Sequence, residues 1–308
     1  MHQIPFFDLR NSSPLEHAIQ RADHVRRLRD ACLRPAPSWG LGALRPIDAM
    51  ARRWLLRTGS PYADEVSAMQ ERLGFAGVAA INMSYQYGCT TGVAPARYGA
   101  PLMRRVLDWP MGGLGASVEI HHLAGPAGDY YSIGWSGAVG VLTAQAPGRF
   151  CAVINQAPMR RRFRSGLMRP LDVALNLANT LIHEKGWPPD HLLRHVFETA
   201  PDFQTAVSIL ITAPIARPAL FSIAGMKPAQ SLLIERTERE ARVHSGPVAV
   251  ANDWQNPHDF WEPRAPIKRE ARFDNPLRVA AMHLANQRRE RPLRDRKSTR
   301  LNSSHIPL

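Results

Sequence analysis

The sequence predicts an α+β fold in which layers of mostly antiparallel sheet are covered by helices. Three observations predict it. Residues 12–75 carry apolar side chains at helical spacing. From about residue 77, short apolar or alternating runs separated by glycine and proline replace that texture. Helices, strands, helices and strands then follow in blocks, and no repeat of fixed period is visible.

The first helix has a clear start signal. Ser13-Pro14-Leu15-Glu16 places a capping serine, a proline at the first helical position and a glutamate at the third. Leu15, Ile19, Ala22, Val25 and Leu28 then recur at helical spacing. A second amphipathic run, "PIDAMARRWLLR", sets Ile47, Met50, Trp54 and Leu55 on one side. A third begins at Ser60-Pro61, presents Val66, Met69 and Leu73, and stops at Gly74. The runs "CTTGVA", "PLMRRVLDW", "ASVEIHHL", "YYSIGW", "AVGVLTA" and "RFCAVINQ" read as strands of meandering sheets. Helical texture returns across "RPLDVALNLANTLIHEKG" and "PDHLLRHVFETAPDFQTAVSILI". Strands resume at "ALFSIAG", "SLLIERTE", "EARVHSG" and "PVAVAND", and a basic helix occupies roughly residues 275–290.

Composition narrows the class of protein. A chain of 308 residues can bury a sizeable core, as one large domain or two smaller ones. It is 44% hydrophobic and 21% charged, a globular balance, and no apolar run approaches the roughly 18 residues of a membrane helix. The opening "MHQIPFFDLRNSSP" lacks the basic-then-apolar pattern of a secretory signal. Cys32, Cys89 and Cys151 are too few and too scattered for a disulfide framework or a zinc site. A cytoplasmic location is therefore expected, with no metal and no cofactor.

The net charge of +13 invites a nucleic-acid partner. The stretch "DRKSTRLNSSH", Asp295 to His305, looks like the in-frame translation of a short-read sequencing adapter. Residues 295–308 are set aside as a non-native tail on that ground, which leaves the native C-terminus unread. The rest still carries about +11. Its aromatic residues do not interleave with the basic ones as in a nucleic-acid module, so no nucleic acid is expected. The cluster "MRRRFRSGLMR", with Arg160 to Arg169, reads as a solvated loop. Its functional alternative is peripheral contact with an anionic lipid surface.

The stretch with chemical content is "QYGCTTG" around Cys89. A cysteine at the start of a strand is most often a small structural group. Here, however, Arg105 follows sixteen residues later and Asp108 nineteen later, within "RRVLDWP". If "CTTGVA" and "LMRRVLDW" are adjacent strands, Cys89 can face Arg105 and Asp108 across the ladder. A guanidinium near a thiol favours the reactive thiolate. A carboxylate there can hold an α-amine by accepting its hydrogen bonds. The plainer alternatives are a cross-strand ion pair for Arg105 and Asp108, and a turn cap for Asn252. His191 and His195 have ligand spacing on a helix, but Leu192 stands where a zincin has its glutamate, so they read as surface histidines. "GGLG" at Gly112–Gly115 is too short for a phosphate cradle.

"NMSYQYGCTTGVA", "RRVLDWP", "GAVGVLTAQAPGRFCAVINQ" and "VAVANDWQNP" follow one another in a recognisable order and spacing. They resemble the acid ceramidase and N-acylethanolamine acid amidase family, within the cysteine N-terminal-nucleophile (Ntn) hydrolases that include bile salt hydrolases and penicillin V acylases. The resemblance runs from about residue 4 to residue 272. It implies a four-layer αββα sandwich with an N-terminal helical segment. It also implies a precursor that cuts itself between Gly88 and Cys89, dividing a helical segment 1–88 from a catalytic domain 89–294. Cys89 would then be the nucleophile and its freed α-amine the base. Arg105 and Asp108 are carried over as site residues, and Asn155 and Asn252 as oxyanion groups. Arg264 is the nearest match to a second arginine, about one residue short in offset, with Arg269 and Arg272 as alternatives. Gln156 departs from the glutamate of the ceramidase branch, which bears on self-cleavage. The implied activity is hydrolysis of a linear amide in a small-molecule N-acyl amine with an apolar acyl group. Bile-acid-like and penicillin-like amides are alternatives within that class. Acyl transfer to another amine, and a non-catalytic binder of lipid or protein, are the rival functions.

Overall fold

Ser13 ends an extended lead-in and starts helix α1 (Pro14–Gln20) in the computed structural model, which describes residues 3–33, 40–83, 88–96, 99–108, 114–182, 185–258, 262–264 and 274–287. The capping box expected from the sequence forms in full. Glu16 N donates to Ser13 Oγ at 3.1 Å, and Ser13 N donates to Glu16 Oε2 at 3.0 Å. Helices α2 (Ala22–Leu33), α3 (Gly40–Arg57), α4 (Ala63–Leu73) and α5 (Val78–Met83) follow. Gly74 ends α4 in the left-handed region, at φ 69°. Ala18, Val25, Trp54, Leu55, Val66, Met69 and Val78 form their shared core.

The inward stripe of α3 keeps Trp54 and Leu55 as expected, but not Ile47 and Met50. Ile47 and Met50 are exposed, while Leu44, Asp48, Ala51 and Leu55 are buried. The reason is polar. Asp48 accepts hydrogen bonds from Gly77 N at 2.5 Å and Ala80 N at 2.9 Å, supplying acceptors to the start of α5. A carboxylate with that task must face inward, and the rest of the stripe turns with it.

Among the described residues, the large sheet has eight strands. In chain order they are β1 (Phe6–Asp8), β4 (Glu119–Gly125), β5 (Gly128–Gly134), β6 (Thr143–Ala146), β7 (Phe150–Gln156), β8 (Ala219–Gly225), β9 (Ser231–Arg236) and β10 (Ala241–Ser245), and they lie side by side in that order. Every neighbouring pair is antiparallel except β1 with β4, which is parallel. The segment before residue 88 is thus more than helical, because it also supplies an edge strand. The small sheet holds β2 (Gly88–Pro95) between β3 (Pro101–Asp108) and β11 (Val248–Val250), all antiparallel.

The near-continuous apolar run of β8 reflects burial on both faces. Phe221 and Ile223 face helices α7 (Pro189–Thr199) and α8 (Phe203–Thr212), packing with Leu192, Leu193, Phe197 and Leu210. Leu220 and Ala224 face the small sheet, packing with Val93, Val248, Val250 and Trp254. Each fully buried side chain of this size contributes roughly 1.5–3 kcal/mol over its exposed state. Helix α6 (Arg169–Ile182) precedes α7, and α9 (Asn275–Gln287) lies on β2 and β11 at the other side of the small sheet. The molecule is therefore a mixed fold of two largely antiparallel sheets with helices packed on them. Among the described residues, no helix is long and apolar enough to cross a membrane. Arg269, Arg272 and the tail at 295–308 lie outside the described residues.

Where α9 meets β2, the strand presents Gly92. A Cβ there would fall 2.5 Å from Met282 Sδ and 2.5 Å from Asn286 Oδ1. Gly92→Val should therefore lift α9 from the sheet and destabilise the protein by roughly 1–3 kcal/mol. The shift of the urea unfolding midpoint at constant slope measures it; an unchanged midpoint would show that α9 does not rest on this strand.

Candidate active site

Cys89 lies in the middle strand of the small sheet, and register decides its neighbours. Its direct partner on β3 is Leu107, while Arg105 pairs with Thr91. Arg105 therefore sits two residues along the ladder on the same face as Cys89, close enough for a long side chain to reach diagonally. On the other side, β11 pairs Val250 with Thr91 and then ends. Extending that register by two residues brings Asn252 opposite Cys89.

Three atoms of Cys89 are each engaged by a different side chain. Arg105 Nη2 donates to Sγ at 3.4 Å. Cys89 N donates to Asn252 Oδ1 at 2.7 Å. Arg278 Nη1 donates to the Cys89 carbonyl oxygen at 3.1 Å. The residue is buried. At the other two cysteines burial dominates: it pushes the Cys151 thiol up to about 12, against hydrogen bonds from the backbone, and the Cys32 thiol up to about 11.

Arg105 is held from the large sheet. Its Nη2 donates to Ile154 O at 2.7 Å and its Nη1 to Thr143 Oγ1 at 2.5 Å and to the Leu142 carbonyl. The next residue, Asn155, is fully buried and joins the two sheets. Its Oδ1 accepts from Thr91 Oγ1 at 2.7 Å, and its Nδ2 donates to Ala251 O at 2.9 Å and Val250 O at 3.3 Å. Gln156 follows, and its carbonyl accepts from Asn252 Nδ2 at 2.9 Å. Three consecutive residues of β7 thus brace the guanidinium, the strand and the asparagine around Cys89.

Both asparagines also clamp the two sheets together, because both Nδ2 groups donate to backbone carbonyls across the seam. Asn252 touches the Cys89 nitrogen, and Asn155 acts one shell further out through Thr91. Asp108 occupies the register position opposite Gly88; its side chain lies outside the described residues.

Arg264 does not join the group. Its Nε pairs with the buried carboxylate of Asp172, and its Nη2 donates to Phe163 O at 2.6 Å and Ser165 O at 3.2 Å. It anchors the loop before α6 instead. The second arginine at Cys89 is Arg278, from α9. Besides the Cys89 carbonyl, it reaches Asn252 Oδ1 at 2.7 Å and Asn275 Oδ1 at 2.5 Å. Offset counting missed it. A signal was present, because an arginine at the first turn of a helix opposes the helix dipole and asks for another reason to be there. Beside it, burial raises the Asp253 carboxyl against hydrogen bonds from Trp254 N and the Asn275 side chain. His191 is also corrected: it is buried, not on the surface, with Nδ1 2.7 Å from Ser60 Oγ.

No family model matches the chain, and no curated protein matches it. Among solved structures, it is similar to an N-acylethanolamine-hydrolyzing acid amidase (NAAA) ortholog from Caenorhabditis elegans. That likeness has 20% identity, covers 54% of this chain and 71% of that one, and has a TM-score of 0.43.

The two arginines can be told apart by a spectrum. With isotope-labelled cysteine, the uncut chain gives one amide signal for each of its three cysteines. Asn252→Ala and Arg278→Gln should move the Cys89 signal, and Arg264→Gln should leave it in place while lowering the melting temperature. A Cys89 signal that responds to Arg264→Gln and ignores Arg278→Gln would reverse the assignment.

Proposed function

We propose that this chain is a cysteine amidase of the Ntn class, hydrolysing the linear carbon–nitrogen bond of an N-acyl amine with an apolar acyl group. The supporting observation is the convergence on one residue, with Arg105 at the sulfur, Asn252 at the nitrogen and Arg278 at the carbonyl oxygen of Cys89. A structural cysteine needs none of these. A residue whose thiol attacks and whose nitrogen becomes an amine needs both of those atoms held.

In the proposed maturation, the Cys89 thiol attacks the Gly88 carbonyl and displaces the Cys89 nitrogen, forming a thioester. Water then releases the Gly88 carboxylate and leaves a free thiol and α-amine. In turnover, the amine takes the thiol proton, the sulfur attacks the substrate carbonyl, and the proton passes to the departing amine. Water resolves the acyl-enzyme to the free acid. Arg105 offers a fixed cation to negative charge on sulfur, and Asn252 Oδ1 orients the amine. Arg278 positions both Asn252 and the Cys89 backbone, and Asp108, beside the cut in register, is the carboxylate for the amine.

The layering fits the same class. We read helix α9, the small sheet, the large sheet and the α7–α8 pair as the four layers of an αββα sandwich; the packing of β8 between the α7–α8 pair and the small sheet supports that reading. The surface beside α6 suits a lipid substrate, because Leu167, Leu171, Leu175 and Ile182 are exposed and Arg160, Arg161, Arg162 and Arg164 shortly precede them in the chain. We assign to it peripheral contact with anionic lipid.

Intact-mass measurement tests the cut. Two fragments meeting at Gly88 and Cys89 are expected, with none from Cys89→Ala. A chain that stays whole after long incubation at acid and neutral pH would sink self-processing. Offering the processed enzyme an N-acyl amine together with a competing amine separates the activities. Acyl product on water supports hydrolysis, product on the added amine supports transfer, and neither supports a non-catalytic binder.

A further inference from the structure

A second cluster of chemically capable side chains lies away from Cys89, where the N-terminal helices meet the edge of the large sheet. His17 of α1, Glu119 and His121 of β4 bring one ligand atom each to within 4.8 Å of one another. All three are buried, at 3%, 1% and 7% exposure. His17 Nε2 is 2.9 Å and His121 Nε2 3.0 Å from the same oxygen, Glu119 Oε2. Ser136 Oγ lies 2.6 Å from that oxygen and 3.2 Å from His17 Nε2. We propose that this cluster is a binding site for a first-row divalent ion of the zinc type, held by His17 Nε2, His121 Nε2 and Glu119 Oε2.

Three features point to an ion. First, one carboxylate oxygen is the focus of three polar side chains, more than its two lone pairs accommodate as separate hydrogen bonds. Second, the remaining oxygen is engaged from outside: Arg21 Nη2 pairs with Glu119 Oε1 at 2.7 Å. That is the outer partner expected of a monodentate carboxylate ligand. Third, a further histidine is already turned toward the group. The His24 ring donates to the Ser117 backbone, and its buried Nε2 has no hydrogen-bond partner, 3.5 Å from Glu119 Oε1.

The spacing is close to what coordination needs. Bonds of about 2.1 Å place tetrahedral ligands roughly 3.4 Å apart, so the two histidine–carboxylate separations, 2.9 and 3.0 Å, must open by a few tenths of an ångström. Imidazole nitrogens with one carboxylate favour zinc, cobalt, nickel or copper over calcium or magnesium. Close sequence spacing could not reveal the site, because His17 and Glu119 are 102 residues apart. The cysteine count and the His191–His195 pair were the wrong places to look. The ion would clip α1 to β4, and binding does not require the cut at Gly88.

The test uses the full chain, stripped with a chelator and dialysed against Zn²⁺, with Co²⁺ as a coloured probe. One tight equivalent per chain, a ligand-field band with Co²⁺ and a melting temperature that rises with Zn²⁺ are expected. His17→Gln, His121→Gln and Glu119→Gln should each lose the equivalent, and His195→Gln should keep it. Ser136→Ala should weaken it by roughly ten- to hundredfold. No tight equivalent and no shift in melting temperature overturn the site, as does zinc retained in the three ligand variants. Should those variants fail to fold, the titration of the unaltered chain decides alone. Intact mass reports the Gly88 cut separately, so failure of one proposal is not read as failure of the other.

Discussion

The hydrogen bond from Cys89 N to Asn252 Oδ1 exists because β11 stops at Val250. Had the strand run two residues further in the same register, a backbone carbonyl would face that nitrogen. The chain turns away instead, and a side-chain amide takes the place. An amide has a second hand: Nδ2 of the same residue reaches the Gln156 carbonyl on the large sheet. One residue therefore ties the middle strand of one sheet to a central strand of the other, at the position of the thiol. Arg278 fits onto this arrangement and adds α9 to it, since its guanidinium spans Asn252 Oδ1 and the Cys89 carbonyl.

The seam between the sheets changes character along its length. At one end Val93, Leu220, Leu233, Val248 and Trp254 make an ordinary apolar interface. At the other, Thr91, Asn155 and Arg105 bring hydroxyl, amide and guanidinium groups into the same buried layer. Taking such groups from water costs free energy that hydrogen bonds return only in part, and apolar side chains of like volume often pack as well or better. Stability does not explain the polar end. Its groups are arranged around one sulfur, one nitrogen and one carbonyl, and the proposed reactive site rests on that arrangement.

What could be read in the sequence follows from how local each determinant is. The capping box at Ser13, the glycine stop at Gly74 and most strand runs are written in neighbouring residues and form as expected, although residues 138–142 of "AVGVLTA" lie outside β6 and residues 116–117 of "ASVEIHHL" form a 3-10 turn before β4. The relation of Cys89 to Arg105 was legible too, because one turn joins their strands and spacing converts directly to register. The sixteen-residue offset proves diagonal rather than direct. Arg278 carried only the hint of a cation at a helix start, and its pairing with Cys89 was not legible, since it depends on α9 packing against Gly92, 189 residues in sequence from the carbonyl it meets. Arg264 was the nearer candidate by counting, but Asp172 is buried beside it and needs a cation more. The orientation of the two asparagines was not legible either: which hand of an amide faces which sheet is set by the carbonyls around it, and no sequence pattern records that.

The segment before Cys89 is bound to the remainder by more than the peptide bond at Gly88. β1 pairs with β4, and Trp54 Nε1 donates to Thr180 O at 3.1 Å. Asn82 Nδ2 donates to Gly137 O at 2.9 Å while its Oδ1 accepts from Val139 N at 2.8 Å. Glu65 pairs with Arg194 at 2.7 Å, and Tyr62 donates to Glu198 at 2.5 Å. Separation would expose Trp54, Leu55 and Met69 to water and strand several of these polar groups. The proposed cut therefore does not release the N-terminal segment. It changes one bond in a structure whose other connections persist, so the new amine appears in a site that is already assembled.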